Sequence, residues 1–368
     1  MIEILYFGLS VNRGGIETYL YKIARHIDRQ KYHLNYIDMT GAGNLPCFYE
    51  ELRGLGCEFY KITPRNVSVI KNREEMKALF HQNHFDVFHY NVNTLSYLLP
   101  VDIALKNNCK VLVHSRNAGS ASTRPMTRLF HEINKSKMCH MKVTRIAVSE
   151  MAGKWLFGDT PFDVYHNGVD TDKFIYSYEN RLKIRRALSC DNKTVIANVG
   201  VFTYAKNHPF MVDIFEEYLK LNPNSCMWFI GDGERLPTIQ RYVKVKKLED
   251  KILFLGKRSD LKELYAGMDL FLFPSLYEGF GNVLLEAQCE GVPCLLSDCI
   301  PQDARILDNT FSFSLQEPLH QWAIKIQEAL EAQEPDRTLC FKKIEESGAS
   351  VKCEITRLQK LYDNMLAE

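Results

Sequence analysis

Long apolar runs are missing from this sequence: none of about 18 residues occurs in its 368 positions, so no membrane-spanning helix is expected. Paired cysteines are missing as well. The 11 cysteines are odd in number, lie between Cys47 and Cys353 without a CxxC pair, and sit in apolar runs such as "PCLL" and "SCMWFI". That is the usage of reduced, buried thiols in a cytosol. Charge of one sign is not in excess, since 46 basic residues meet 45 acidic ones and neither kind gathers in a tail. Whole-molecule electrostatics therefore does not single out nucleic acid as a partner. No basic segment precedes "IEILYFG", which argues against a secretory signal. Nor does a G-x-G-x-x-G open a helix after the first strand, so an NAD-type reading lacks its main support.

What is present is an alternation. Apolar runs rich in β-branched and aromatic residues recur as "IEILYFG", "HLNYIDM", "CEFYKI", "DVFHYN", "KVLVHS" and "RIAVS", then as "TVIANVG", "CMWFIGDG", "KILFLG", "DLFLFPS" and "PCLLSD". Helix-period segments separate them. After the first run Ile16, Tyr19, Leu20, Ile23, Ala24 and Ile27 share one helical face. Such alternation predicts βαβ units and two parallel sheets with strands buried on both faces. The Pro-, Gly- and Asp-rich stretch 161–174 interrupts it and reads as a linker, which predicts a first domain over 1–172 and a second over 173–348. Residues 349–368 read as a last helix, a candidate to lie across both domains.

One turn carries chemistry. Glu278 and Glu286 stand on either side of Gly279-Phe280-Gly281, where "DLFLFPS" reads as a strand and "NVLLEAQCE" as a helix stopped by Gly291 and Pro293. Two glycines let backbone approach a ligand closely, and the helix start offers unpaired N–H groups to an anion. Glu286 falls one turn inside the helix, between Leu285 and Ala287, where a carboxylate needs hydrogen-bond donors such as sugar or ribose hydroxyls. As a lone spacing, two surface glutamates would explain it better than a site does.

The embedding is more specific. "FPSLYEGFGNVLLEAQCEGVPCLLSD", residues 273–298, resembles the donor-site signature of the retaining family 4 glycosyltransferases of GT-B fold. The resemblance runs along nearly the whole chain, from "GGIETYL" (14–20) through "YHNGVD" (165–170) and "FIGDGERLP" (229–237) to "LFLGKRSDLKELYAGMDLFLFPS" (253–275). It implies two Rossmann-like domains whose parallel sheets face a central cleft. It also implies a nucleotide-sugar donor of the UDP-linked kind as co-substrate, with no resident cofactor and no metal. Gly14, Gly15, Gly279, Phe280, Gly281, Asn282 and Val283 would then line the diphosphate, Glu278 would hold the donor sugar, and Glu286 the ribose. The loop Gly231-Asp232-Gly233 would lie near the base, although a tight turn accounts for it equally.

The chain also departs from the family pattern. In "NVGVFTYAKNHPF" Lys206 stands where a lysine neutralises the leaving diphosphate, but Val201 replaces the arginine expected before it. A guanidinium brings up to five donors and a fixed charge, so another cation is required, with Arg258 and Lys257 as candidates, or the site is slow or inactive. In "KVLVHSRNAGS" the resemblance sets His114 against the donor sugar, while Arg116 takes the place of a second histidine. His89 also ends a strand, and a structural role suits it as well as a functional one.

Between residues 124 and 145 the basic residues Arg124, Arg128, Lys135, Lys137, Lys142 and Arg145 face a single acidic Glu132, with His131 and His140 among them. Met126, Leu129, Phe130, Ile133 and Met138 interleave. This is either a solvated helix face or a basic amphipathic helix resting on anionic lipid, which a lipid-diphosphate acceptor would favour. The expected protein is a cytoplasmic glycosyltransferase, peripheral on the inner membrane face, acting on a glycan or lipid-linked acceptor in capsule or exopolysaccharide synthesis. A nucleotide-sugar epimerase and a non-catalytic nucleotide-binding subunit are the rival readings.

Overall fold

The apolar runs become parallel strands in a computed structural model that describes residues 1–119, 125–332 and 336–367. In the first half these are β1 (Ile2–Phe7), β2 (Tyr32–Asp38), β3 (Glu58–Lys61), β4 (Val87–Val92), β5 (Lys110–Ser115), β6 (Thr144–Ala147) and β7 (Asp163–Val164). In the second they are β8 (Thr194–Val199), β9 (Ser225–Ile230), β10 (Ile252–Gly256), β11 (Leu270–Phe273), β12 (Cys294–Ser297) and β13 (Thr310–Phe313). Two of them escape the sequence pattern. β7 is two residues long and lies inside the stretch read as linker, and β13 is a half-buried edge strand of four.

The first sheet runs in the order β3-β2-β1-β4-β5-β6-β7 and the second in the order β10-β9-β8-β11-β12-β13. Each sheet is therefore doubly wound, with its order reversing between β1 and β4 or between β8 and β11. In open parallel sheets ligands collect at that reversal, beyond the carboxyl ends of the strands. Helices on both faces explain why β4, β9, β11 and β12 are buried along their whole length.

The chain divides into two compact units, Met1–Asn167 with Val351–Glu368, and Gly168–Ser350. The break falls at Asn167 and not at Asp172, because residues 169–171 are tied into the second unit. The Val169 amide donates to Ala349 O at 2.9 Å, and the Thr171 hydroxyl donates to Glu345 at 2.7 Å. The helix Val351–Ala367 closes the first unit: Val351, Ile355, Leu358, Tyr362 and Met365 enter one core with Leu20, Ile23, Leu34 and Tyr36. Burying each such aliphatic side chain contributes about 1.5–3 kcal/mol.

The second unit packs Ile196, Phe215, Met227, Trp322 and Ile326 around its sheet. Glu290, at the end of the helix Asn282–Cys289, is fully buried there, and neither carboxylate oxygen has a hydrogen-bond partner. The neighbouring Arg337 guanidinium donates instead to the backbone carbonyls of Tyr265, Met268 and Glu290. Burial accordingly pushes the Glu290 carboxyl up to about 7.

Candidate active site

At the reversal point of the second sheet, the loops after β8 and β11 are bound to each other. Leu276 N–H donates to Ala205 O at 2.8 Å, and the Asn207 side chain donates to Pro274 O at 3.3 Å. Asn207 thus serves the neighbouring loop and does not cap the helix His208–Leu221 with its side chain; its own backbone is left-handed, at φ 57°. This clamp sets Lys206 Nζ 2.5 Å from Glu278 Oε1, with both side chains largely buried. Lys206 Nζ also lies 4.4 Å from the centre of the Phe273 ring. A Cβ at Gly281 would stand 3.4 Å from the same ring, so Phe273 forms a floor between the lysine and the glycine turn.

Gly281, at φ 84°, starts the helix Asn282–Cys289 in a conformation that glycine adopts without strain. Phe280 is buried, Asn282 and Val283 are half-buried on the first turn, and Gly279 is buried ahead of them. One turn on, Glu286 is half-buried and accepts a hydrogen bond from the Tyr265 hydroxyl at 2.9 Å. Tyr265 is fully buried, and burial followed by the Glu286 charge raises its phenol well above the usual range. Nothing in the sequence pointed to Tyr265 as the partner, because the contact joins two helices 21 residues apart.

The Gly231-Asp232-Gly233 loop owes its glycines to protein packing. A Cβ at Gly231 would lie 2.0 Å from Gly200 O and one at Gly233 would lie 2.6 Å from Phe202 N, with φ at 140° and 157°. Backbone bonds from Phe202 N to Asp232 O at 3.0 Å and from Arg235 N to Phe202 O at 3.1 Å lock the loops after β8 and β9 together. The two cations proposed to replace the missing arginine are engaged elsewhere. Arg258 makes a two-pronged contact with Asp260, at 2.7 and 2.5 Å, and Lys257 lies 3.6 Å from Asp232. Both follow the edge strand β10, two strands from β8, roughly 10 Å away across the sheet.

In the first unit the reversal point holds a buried polar chain. Arg116 Nη1 lies 3.0 Å from His114 Nε2, His114 Nδ1 lies 3.1 Å from His89 Nε2, and His89 Nδ1 lies 2.6 Å from the Tyr362 hydroxyl, itself 2.9 Å from that of Tyr6. A guanidinium can only donate, so with both histidines neutral the direction runs from Arg116 to His114, from His114 to His89 and from His89 to Tyr362, whose hydroxyl shares a further bond with that of Tyr6. Burial, then the Arg116 charge, holds both histidines well below their usual range, so each is neutral at pH 7. His114 is almost wholly enclosed and lies behind Arg116, which also donates to Asn167 at 2.8 Å and covers the Tyr19 ring at 3.7 Å. The Gly14 amide, expected to face a phosphate, donates to Glu17 Oε2 at 3.1 Å, while open space surrounds Gly15.

The basic segment forms the helix Pro125–Met138, and Arg124 lies outside the described residues. Its cations are partly committed: Lys137 pairs with Asp102 at 2.7 Å, and Arg145 donates to the carbonyls of Met138 and Met141. His131 is buried, accepting the Leu95 amide at 3.1 Å and stacking on Trp155. Met138 is buried too, whereas Met126, Leu129, Phe130 and Ile133 are exposed at i, i+3, i+4, i+7 spacing. The segment is thus less basic and more apolar on its outer face than its composition suggested. No helix among the described residues is long and apolar enough to cross a membrane.

The family descriptions Glycosyltransferase Family 4 and Glycosyl transferases group 1 match residues 13–173 and 180–342. EpsF of Bacillus subtilis (strain 168) is 26% identical over 98% of this chain and 96% of its own length. The UDP-Gal:alpha-D-GlcNAc-diphosphoundecaprenol alpha-1,3-galactosyltransferase of Escherichia coli is 27% identical over 64% of each chain. Among solved structures, Anabaena Alr3699/HepE in complex with UDP and glucose superposes with a TM-score of 0.80 at 18% identity, over 99% of this chain and 100% of that one. Sucrose-phosphate synthase from Thermosynechococcus elongatus gives the same score at 16% identity, over the full length of both. These likenesses place the two Rossmann-like units in the GT-B fold.

Proposed function

The chain belongs to the glycosyltransferases, with a family 4 domain followed by a group 1 domain, and from that premise we propose that it moves a sugar from UDP to a hydroxyl of a glycan or lipid-linked glycan in surface-polysaccharide synthesis. The observation that carries this reading is the Lys206–Glu278 pair, set against the glycine turn that opens the Glu286 helix. A diphosphate entering there meets a cation and helix-start amides, which stabilise the charge that builds on the leaving phosphate as the anomeric C–O bond breaks. Glu278, released from Lys206, accepts donor-sugar hydroxyls, and Glu286, oriented by Tyr265, accepts those of the ribose. The acceptor oxygen bonds to the anomeric carbon with retention, and its proton passes to the departing phosphate oxygen, so no covalent nucleophile, resident cofactor or metal is required.

Two names support the donor and acceptor: the Escherichia coli relative is named for a UDP-sugar and a diphosphoundecaprenol acceptor, and HepE was solved with UDP. A lipid-linked acceptor also gives the apolar stripe of the helix Pro125–Met138 a purpose, seating the protein on the cytoplasmic face of an anionic membrane. The exposed Val201 favours a second reading, in which the protein binds nucleotide without turnover.

A panel of nucleotide sugars in thermal unfolding tests the donor. A ligand at a hundred times its dissociation constant adds about 2.7 kcal/mol, or roughly 5–10 °C for a unit of this size. Labelled transfer to extracted lipid-linked glycans then separates transferase from binding subunit. Absence of a shift with every nucleotide sugar sinks the donor assignment, and binding without transfer leaves the second reading standing.

A further inference from the structure

Val201 leaves the diphosphate site one guanidinium short, and the structure supplies another from a neighbouring loop. Arg235 ends the Gly231–Glu234 loop, directly ahead of the helix Leu236–Val245. Its amide donates to Phe202 O at 3.1 Å, which places its backbone beside the residue that follows Val201. The close passage of Gly233 over Phe202, with no room for a Cβ, fixes this proximity. Arg258 is held by Asp260 and the exposed Lys257 lies 3.6 Å from Asp232, whereas Arg235 has no carboxylate within ion-pair distance among the described residues. Its guanidinium lies 5.6 Å from the ring centre of Tyr204, which is 65% exposed and stands two residues before Lys206.

We infer that Arg235 binds the diphosphate of the nucleotide substrate and takes over, from the loop after β9, the charge role that Val201 cannot fill. The inference rests on the nucleotide-diphosphate reading given above. Both cations bear on the same imidazole: burial first, then Lys206 and Arg235, hold the enclosed His208 down to about 3. The positive field at the head of the helix His208–Leu221 thus draws on Arg235 as well as on Lys206. A guanidinium parked on an exposed aromatic ring loses little when it turns to a phosphate, where two parallel N–H bonds replace one cation–π contact.

Calorimetric titration with UDP and with GDP of wild type, Arg235→Ala, Arg235→Gln and the double variant Val201→Arg/Arg235→Ala provides the test. Arg235→Ala and Arg235→Gln should weaken the preferred diphosphate about 10- to 100-fold, and adding Val201→Arg should recover at least tenfold of that loss. A merely structural role for Arg235 predicts no recovery from a cation placed on the other loop. Wild-type affinity in both single variants would overturn the assignment of Arg235 alone, as would a loss that Val201→Arg does not repair. Failure of wild type to bind either diphosphate would overturn the nucleotide reading together with this one.

Discussion

Replacing Glu290 by glutamine should stabilise the second unit, and by an amount that depends on pH. In the folded chain the carboxyl stays protonated up to about pH 7, against 4.5 for the same group in the open. Below the unfolded value both states hold the proton and the group costs nothing as a charge. As pH rises the unfolded chain gives up its proton first, so stability falls through this window and levels off above the folded value. The full loss is about 3.4 kcal/mol, from 2.5 units at about 1.36 kcal/mol each. At about pH 5.5 roughly 1.4 kcal/mol is already gone, so raising the pH to about 8.5 should widen the advantage of Glu290→Gln by about 2 kcal/mol. For a unit of this length that is about 4–8 °C in melting temperature. Paired melting curves of wild type and variant across the range give the answer directly. A difference between the two that stays constant with pH would show that the carboxyl is ionised in the fold, with a partner or water reaching it, and would refute the reasoning.

Other outcomes follow from the site and its supports. Glu286→Ala should weaken UDP binding by about tenfold or more, while Glu278→Ala should lower turnover with less effect on UDP affinity; isothermal titration and steady-state kinetics of both variants check this, and unchanged values in both would remove the two carboxylates from the site. Tyr265→Phe should reproduce part of the Glu286 loss, about 1 kcal/mol, in the same titration. Gly231→Ala forces a Cβ to 2.0 Å from Gly200 O at φ 140°, so the second unit should lose about 3 kcal/mol or more, visible as a lower melting temperature. Phe130→Asp and Ile133→Asp should reduce co-sedimentation with anionic vesicles more than Lys137→Ala does, because Lys137 is already paired with Asp102.

Much of this was open to reading in one dimension. Strand runs and glycine turns are local, so β1 to β6, β8 to β12 and the turn at Gly279–Gly281 could be placed from composition and spacing. What stayed hidden is non-local. The contact between Tyr265 and Glu286, the loop clamp that aims Lys206 at Glu278, and the approach of Arg235 to Phe202 each join segments that only the sheet order brings together. Gly231 and Gly233 looked like a ligand cradle because glycine marks any close backbone approach, and here the approaching backbone belongs to the protein itself. Arg258 was the opposite case: Asp260, two residues on, was in plain view as the carboxylate that engages it. The exposed stripe of the helix Pro125–Met138 required knowing which side faces the core, and periodicity alone does not give that.

The helix Val351–Ala367 finishes a core that begins at Ile4, and its Tyr362 hydroxyl anchors the chain of bonds that runs to Arg116. On a ribosome, the first half of the polypeptide must therefore wait, with Leu20 and Ile23 unsealed, until some 180 further residues have emerged. A nonsense codon between Val351 and Tyr362 would remove that anchor from the histidines of the front half while sparing the body of the rear one. Expression of the front half by itself should give an aggregating product that a separately supplied peptide of residues 351–367 could rescue.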